Sequence, residues 1–242
     1  ESNGYPGGLL IRGDLLYAAR GGLLILDISD PLNPTVAGSS GPAYYGLTIA
    51  GNTAVSSDWS TYRRNNARSG HTPVAVPSKI SSKWQVELKG KLTPPITVGD
   101  RVFIASVDAH KVLCLEAITG KTVWHYTAGG RIDSPPSYSN GRIIFGSRDG
   151  YVQCLDAQTG KLIWRFRAAP DDMRICAFGQ VESAWPVFGS VVVQNDEIYC
   201  AAGRSTHLNS GIFLYVLDLK TGKPLRSRQI EPDMESPLEM QE

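Results

Sequence analysis

A ten-residue stretch of this chain is written three times. Leu115-Glu116-Ala117-Ile118-Thr119-Gly120-Lys121-Thr122-Val123-Trp124 returns as Leu155-Asp156-Ala157-Gln158-Thr159-Gly160-Lys161-Leu162-Ile163-Trp164, and again as Leu217-Asp218-Leu219-Lys220-Thr221-Gly222-Lys223-Pro224-Leu225-Arg226. Each copy reads as a short apolar strand, a polar Thr-Gly-Lys turn and a second strand. The first two copies stand 40 residues apart, and a period of about 40 with several strands per unit is the signature of a β-propeller. Gly120, Gly160 and Gly222 supply the turn conformation, while Thr119, Thr159 and Thr221 bond locally. Trp124 and Trp164 fall on the outermost strand of their units, where a large ring covers the adjoining blade. The third copy has Arg226 in that place.

Composition agrees with many short strands joined by turns. The 242 residues include 25 Gly and 15 Pro, with 42% hydrophobic and 19% charged residues, which is globular usage with a high share of turn formers. A net charge of +1 gives no electrostatic case for nucleic acid or an anionic membrane. No run of 18 apolar residues occurs, so no membrane span is expected. Cys114 and Cys154 take equivalent places in successive strands and read as small buried hydrophobes. With Cys176 and Cys200 they form no Cys-x-x-Cys pair, and no His or carboxylate pattern points to a metal.

In chain order, Gly7 to Ala19 reads as strand, Gly13-Asp14 turn and strand, followed by Leu23-Leu24-Ile25-Leu26-Asp27-Ile28-Ser29-Asp30-Pro31 and Asn33-Pro34. This segment resembles the LVIVD-type propeller repeat, and Tyr45 to Asn52 begins a second copy. Character changes near Ser57. Asp58-Trp59-Ser60-Thr61-Tyr62-Arg63-Arg64-Asn65-Asn66-Ala67-Arg68-Ser69-Gly70 is polar, and its arginines read as a solvated entry segment in preference to a phosphate patch. From Trp84 onward the units are regular: hairpins at Gly99-Asp100, Asn140-Gly141 and Asn195-Asp196, each followed by one of the Thr-Gly-Lys copies. No helical periodicity of useful length appears.

The Thr-Gly-Lys-x-x-Trp pattern, the Pro94-Pro95 and Pro135-Pro136 strand starts and the 58–70 lead-in resemble the PQQ-like (quinoprotein alcohol dehydrogenase-like) β-propellers, over about residues 58–230. The expected fold is therefore all-β: a propeller of four-stranded antiparallel blades, about four to five in this chain. Residues 1–57 are assigned to LVIVD-like blades and 58–242 to PQQ-like blades of one continuous propeller. A fragment, a small closed ring and a homo-oligomer that completes the ring all remain open, since an arc with bare edges is sticky.

Strand order decides where chemistry sits. Connections between second and third strands, and between fourth and next first strands, share one side. That side collects Asp108, His110, Arg131, Asp133, Arg148, Asp149, Arg204 and His207, together with Arg174 and Glu182 from a long insertion over 167–183. Arginines there offer donors for an acidic group, held by the neighbouring carboxylates. The opposite side carries short turns. The resemblance implies two activities to weigh. A quinoprotein dehydrogenase uses a calcium–PQQ centre, a base Asp and often adjacent cysteines; no adjacent cysteines and no such donor set can be assembled here, so no cofactor is expected. The preferred expectation is a non-catalytic scaffold that binds a protein partner or small ligand on the loop side, of bacterial envelope or secreted location by resemblance. A dehydrogenase fragment and a recombined or engineered propeller are the alternatives.

Overall fold

The computed structural model describes residues 59–71, 84–88 and 90–231 with their side chains, and the backbone of five strands within the first 50 residues. Those strands are β1 (Leu9–Arg12), β2 (Leu15–Ala19), β3 (Leu23–Asp27), β4 (Thr35–Ser39) and β5 (Tyr45–Thr48). Then follow β6 (Gln85–Leu88), β7 (Ile96–Val98), β8 (Arg101–Ser106), β9 (Lys111–Glu116) and β10 (Thr122–Thr127). The next unit is β11 (Ser137–Ser139), β12 (Arg142–Gly146), β13 (Tyr151–Asp156) and β14 (Leu162–Arg167). A hairpin, β15 (Arg174–Ala177) with β16 (Gln180–Ser183), precedes β17 (Val192–Gln194), β18 (Glu197–Ala202), β19 (Ile212–Asp218) and β20 (Pro224–Ile230). No helix occurs among the described residues.

Four sheets are four-stranded meanders, β1–β4, β7–β10, β11–β14 and β17–β20, with every neighbour antiparallel. This is the expected all-β blade architecture. β5 pairs with β6, from Tyr45↔Leu88 to Thr48↔Gln85, so strands from either side of residue 58 share one sheet. The last unit departs from its sequence reading. Ala184 to Val193 reads as the first strand, and only its end is one: β17 begins at Val192, because Pro186 lacks a donor and Gly189 turns the chain at φ 96°.

Strand alternation explains the cores. β8, β9, β12 and β13 are mostly buried and carry no exposed residue, as strands packed on both faces must be. Phe103, Val112, Cys114, Ile143, Phe145 and Leu155 fill one inter-sheet layer; Ile144, Val152, Cys154, Ala184, Ile198 and Leu217 fill the next. Burial pushes the Cys114 and Cys154 thiols up to about 12, which suits their reading as hydrophobes.

The triplicated motif is the joint between sheets. Trp84 Nε1 donates to Ala117 O at 3.0 Å, Trp124 Nε1 to Ala157 O at 3.1 Å and Trp164 Nε1 to Leu219 O at 3.0 Å. The same three acceptor residues donate their N–H groups to Asp100, Gly141 and Asp196 in the hairpin turn of their own sheet. Gly120, Gly160 and Gly222 have φ of 74°, 71° and 69°, and a Cβ at Gly160 would lie 2.6 Å from Trp124. Glycine is required there twice, for conformation and for the approach of the indole. Thr159 and Thr221 bond Asp156 and Asp218, three residues earlier, through both N–H and hydroxyl. Those hydrogen bonds hold both carboxylates below the usual range.

The 59–71 segment corrects its sequence reading. Trp59 forms a β-bridge with Thr97, and Tyr138 N donates to Ser60 O. Arg68 Nη1 donates to Thr61 Oγ1 (2.9 Å), Thr61 to Ser137 Oγ (2.8 Å), and Ser137 to Val191 O (2.9 Å). Asn66 reaches Val193 O at 2.7 Å. The segment therefore crosses the first strands β7, β11 and β17, or the residues just before them, in three successive sheets. Arg68 is committed to carbonyls, and burial lowers its pKa against the opposing influence of Tyr62. Polarity in this stretch serves inner-edge backbone groups that have no further strand to pair with.

Candidate functional site

On the loop side, backbone bonds first bring the connections together. Arg148 N donates to Arg131 O and Ser183 N to Arg148 O, both at 2.8 Å. Arg131 comes from the β10–β11 connection, Arg148 from β12–β13, Arg204 from β18–β19, and Glu182 from β16 of the insertion hairpin. All four side chains then converge. Glu182 is fully buried and accepts from Arg148 Nη1 at 3.0 Å and Arg204 Nη2 at 2.7 Å. Arg131 lies 3.8 Å from its other oxygen, which has no hydrogen-bond partner. Arg148 Nε donates to Asp133, and Arg131 pairs with Asp108 at 3.2 Å and Asp133 at 3.4 Å. For Arg148, burial works against the charge, but the hydrogen bonds and charges of Asp133 and Glu182 outweigh it and raise the pKa.

Three guanidiniums thus meet three carboxylates. The network is formally neutral, and its carboxylates hold the guanidiniums in place, while Arg131 Nε and Arg204 Nε are buried without a hydrogen-bond partner. A buried ion cluster of this kind is poor evidence for stability but a strong positional constraint. What it positions is the hairpin. Phe178 and Gly179 form its two-residue tip with φ of 51° and 73°, the left-handed pair that a twisted antiparallel hairpin favours. Phenylalanine is a poor choice there, since a bulky side chain at positive φ is strained. The ring is held by cations: Arg131 and Arg148 each lie 4.9 Å from its centroid. It is nevertheless 71% exposed. Phe188 is exposed as well and shares Arg148 with Phe178, its ring centroid 5.7 Å from that guanidinium. The result is two exposed aromatic rings on a charged, buried base.

The remaining candidates divide. His110 Nε2 donates to Gln180 Oε1 at 2.6 Å, tying the hairpin to the β8–β9 connection that also bears Asp108. Asp149 is buried but points elsewhere: it accepts from the Ser147 hydroxyl, which accepts from Gln153 at 2.9 Å, and Gln153 accepts from Tyr126 at 2.7 Å. Arg174 is outside the cluster, paired at 2.8 Å with exposed Asp172. His207 is exposed and only its backbone is bonded, to Ser205. Sequence reasoning missed Phe178 and the hairpin itself, because a four-residue strand on each side of Phe-Gly carries too little alternation to stand out. Trp84 was also missed as a third docking indole, though its spacing to Pro94-Pro95 nearly repeats that of Trp124 to Pro135-Pro136.

Residues 81–239 match the family described as outer membrane protein assembly factor BamB, and residues 3–40 match the LVIVD repeat. No curated protein matches in sequence. Among solved structures, the chain is similar to BamB from Moraxella catarrhalis, at 17% identity and TM-score 0.51 over 96% of this chain and 67% of that one. It is also similar to a quinohemoprotein alcohol dehydrogenase from Comamonas testosteroni, at 16% identity and TM-score 0.54 over 73% of this chain. The computationally designed Ika8 protein aligns at 13% identity and TM-score 0.55 over 93% of this chain and 63% of that one. The chain spans only 28% of the length of the alcohol dehydrogenase. At these identities the likeness establishes the β-propeller fold.

Proposed function

Because the chain belongs, through residues 81–239, to the family described as outer membrane protein assembly factor BamB, we propose that it is a non-catalytic propeller scaffold of the cell envelope that holds a protein partner on its loop side. The observation that carries this reading is the hairpin tip. An aromatic residue stands in a strained backbone position, largely exposed, on a base rigidified by Glu182 and three arginines. Strain kept at a solvent-facing aromatic is a mark of recognition, and an aromatic anchor fixed on a rigid base suits a protein surface. A small acidic ligand is less well served, because the guanidiniums are already paired.

The described residues do not fit a calcium–quinone centre. Among them no group of three His, Cys, Asp or Glu is placed to hold a metal ion, and the one dense carboxylate set is bound to guanidiniums. No step is assigned to such a group.

A photo-crosslinking amino acid at Phe178 gives a discrete adduct in the host cell, whereas the same label at turn-side Ile118, which is 57% exposed, gives none. Equal labelling from both positions contradicts the reading. So does dye-linked alcohol oxidation after addition of calcium and quinone.

A further inference from the structure

The second exposed ring, Phe188, stands on the connection between β16 and β17, outside any strand. The residues before it are anchored: Gly203 N donates to Pro186 O, and Val187 N to Ser147 O. Gly189 follows at φ 96°, where a Cβ would meet nothing within 4 Å, so packing does not fix the chain there. The far side of the ring therefore depends on what holds Ser190 and Val191. Their carbonyls precede β17 and lie outside its ladder.

Arg68 supplies that hold from 122 residues upstream of Ser190. Its Nη2 donates to Ser190 O at 3.3 Å and Val191 O at 3.4 Å, and its Nη1 to Thr61 Oγ1 at 2.9 Å and Tyr62 O at 2.8 Å. The Tyr62 ring lies against the guanidinium, 5.7 Å from centroid to carbon. These bonds close into a circuit. Ser137 gives its one hydroxyl proton to Val191 O, so Thr61 must donate to Ser137 and accept from Arg68. Every donor direction is thereby set, and each bond polarises the next. We propose that Arg68 is a positioning residue for the loop-side surface: its fork ties Ser190 and Val191 to the 59–71 segment and so holds the Phe188 ring beside Arg148. This rests on the reading of that side as a partner surface, and gives it a support separate from Glu182. Lysine cannot take the place of Arg68, because a point donor serves one side of the circuit and not both.

The test places para-fluorophenylalanine at Phe188 of the full chain and follows it by fluorine NMR, with a photo-crosslinking residue at Phe188 in a second preparation. In the otherwise unchanged chain the ring gives one line, displaced from its position in urea. In Arg68→Ala and Arg68→Lys that line moves at least halfway to the urea position, while the same label at Phe178 keeps its own. Ile198→Val, a change at a fully buried residue of the same sheet, lowers the unfolding midpoint without moving the Phe188 line. Where Arg68→Ala does not fold, Arg68→Lys is read, since it keeps the charge and can keep the bonds to Thr61 and Tyr62. An unmoved line in Arg68→Lys overturns the proposal, and so does an equal movement in Ile198→Val. A line that moves only in the Arg68 variants upholds it. The crosslink then separates the two claims: no adduct from Phe188 in the host cell removes the partner from this ring and leaves the role of Arg68 standing.

Discussion

The two sides of the sheets are built on opposite plans. On the turn side, three joints repeat the same indole-to-carbonyl bond within 0.1 Å, the same positive-φ glycine and the same turn. On the loop side nothing repeats. Asp108 and Asp149 hold equivalent places in successive sheets, yet one pairs with Arg131 and the other is buried against Ser147. The single Glu182 gathers arginines from three different connections. Repetition marks the parts every sheet needs in order to pack on its neighbour. Departure from repetition marks what one protein needs alone, and it gathers where loops leave the scaffold.

The sharpest way to break the comparison is at the turn-side glycines. Gly160 and Gly141 have φ of 71° and 75°, but only the first faces an indole; a Cβ at Gly141 meets nothing within 4 Å. Gly160→Ala therefore costs more than about 3 kcal/mol in urea unfolding, strain and collision together, while Gly141→Ala costs about 1 kcal/mol from conformation alone. Equal losses would show that the indole contact adds nothing.

Next in size is the loop side. Glu182→Gln leaves Arg148 and Arg204 without their shared anion. The cost is about 2 kcal/mol, below that of a fully buried pair, because both guanidiniums keep 14–19% of their exposure. A loss as large as that at Gly160 would mean the network is a fold-wide joint and not a local support for the hairpin.

These two regions also differ in how legible they were. The turn-side motif could be read from residues because its chemistry is local: Thr159 reaches Asp156, and Gly160 turns where the spacing says it must. The partner indole is distant in sequence but recurs at a fixed period, so repetition stands in for three-dimensional knowledge. Arg131, Arg148, Arg204 and Glu182 could be placed on one side by strand order, but not joined, since their meeting depends on how the insertion folds back. Arg174 and His207 belong to the same loops by sequence and stay outside by geometry. The 59–71 segment was misread for the same reason. Its polar residues look solvated until the first strands of three sheets are brought together for them to bridge.

The smallest effect concerns acid. Asp156 and Asp218 titrate below the usual carboxylate range when folded, so what they contribute is present above about pH 4 and lost as pH falls through their folded values. Unfolding midpoints taken at pH 6 and pH 3 fall less in Asp156→Asn than in the wild type. An equal fall would remove the threonine-bonded carboxylate from the account of the turn.

The central claim is that the buried Glu182 cluster fixes the hairpin that presents Phe178. Amide hydrogen exchange followed residue by residue tests it most directly. In the wild type, the amides that pair β15 with β16 are protected. In Glu182→Gln they lose that protection while those of β13 and the Trp124-docked turn keep theirs. Unchanged protection of the hairpin in Glu182→Gln would contradict the claim and leave Phe178 on a support of some other origin.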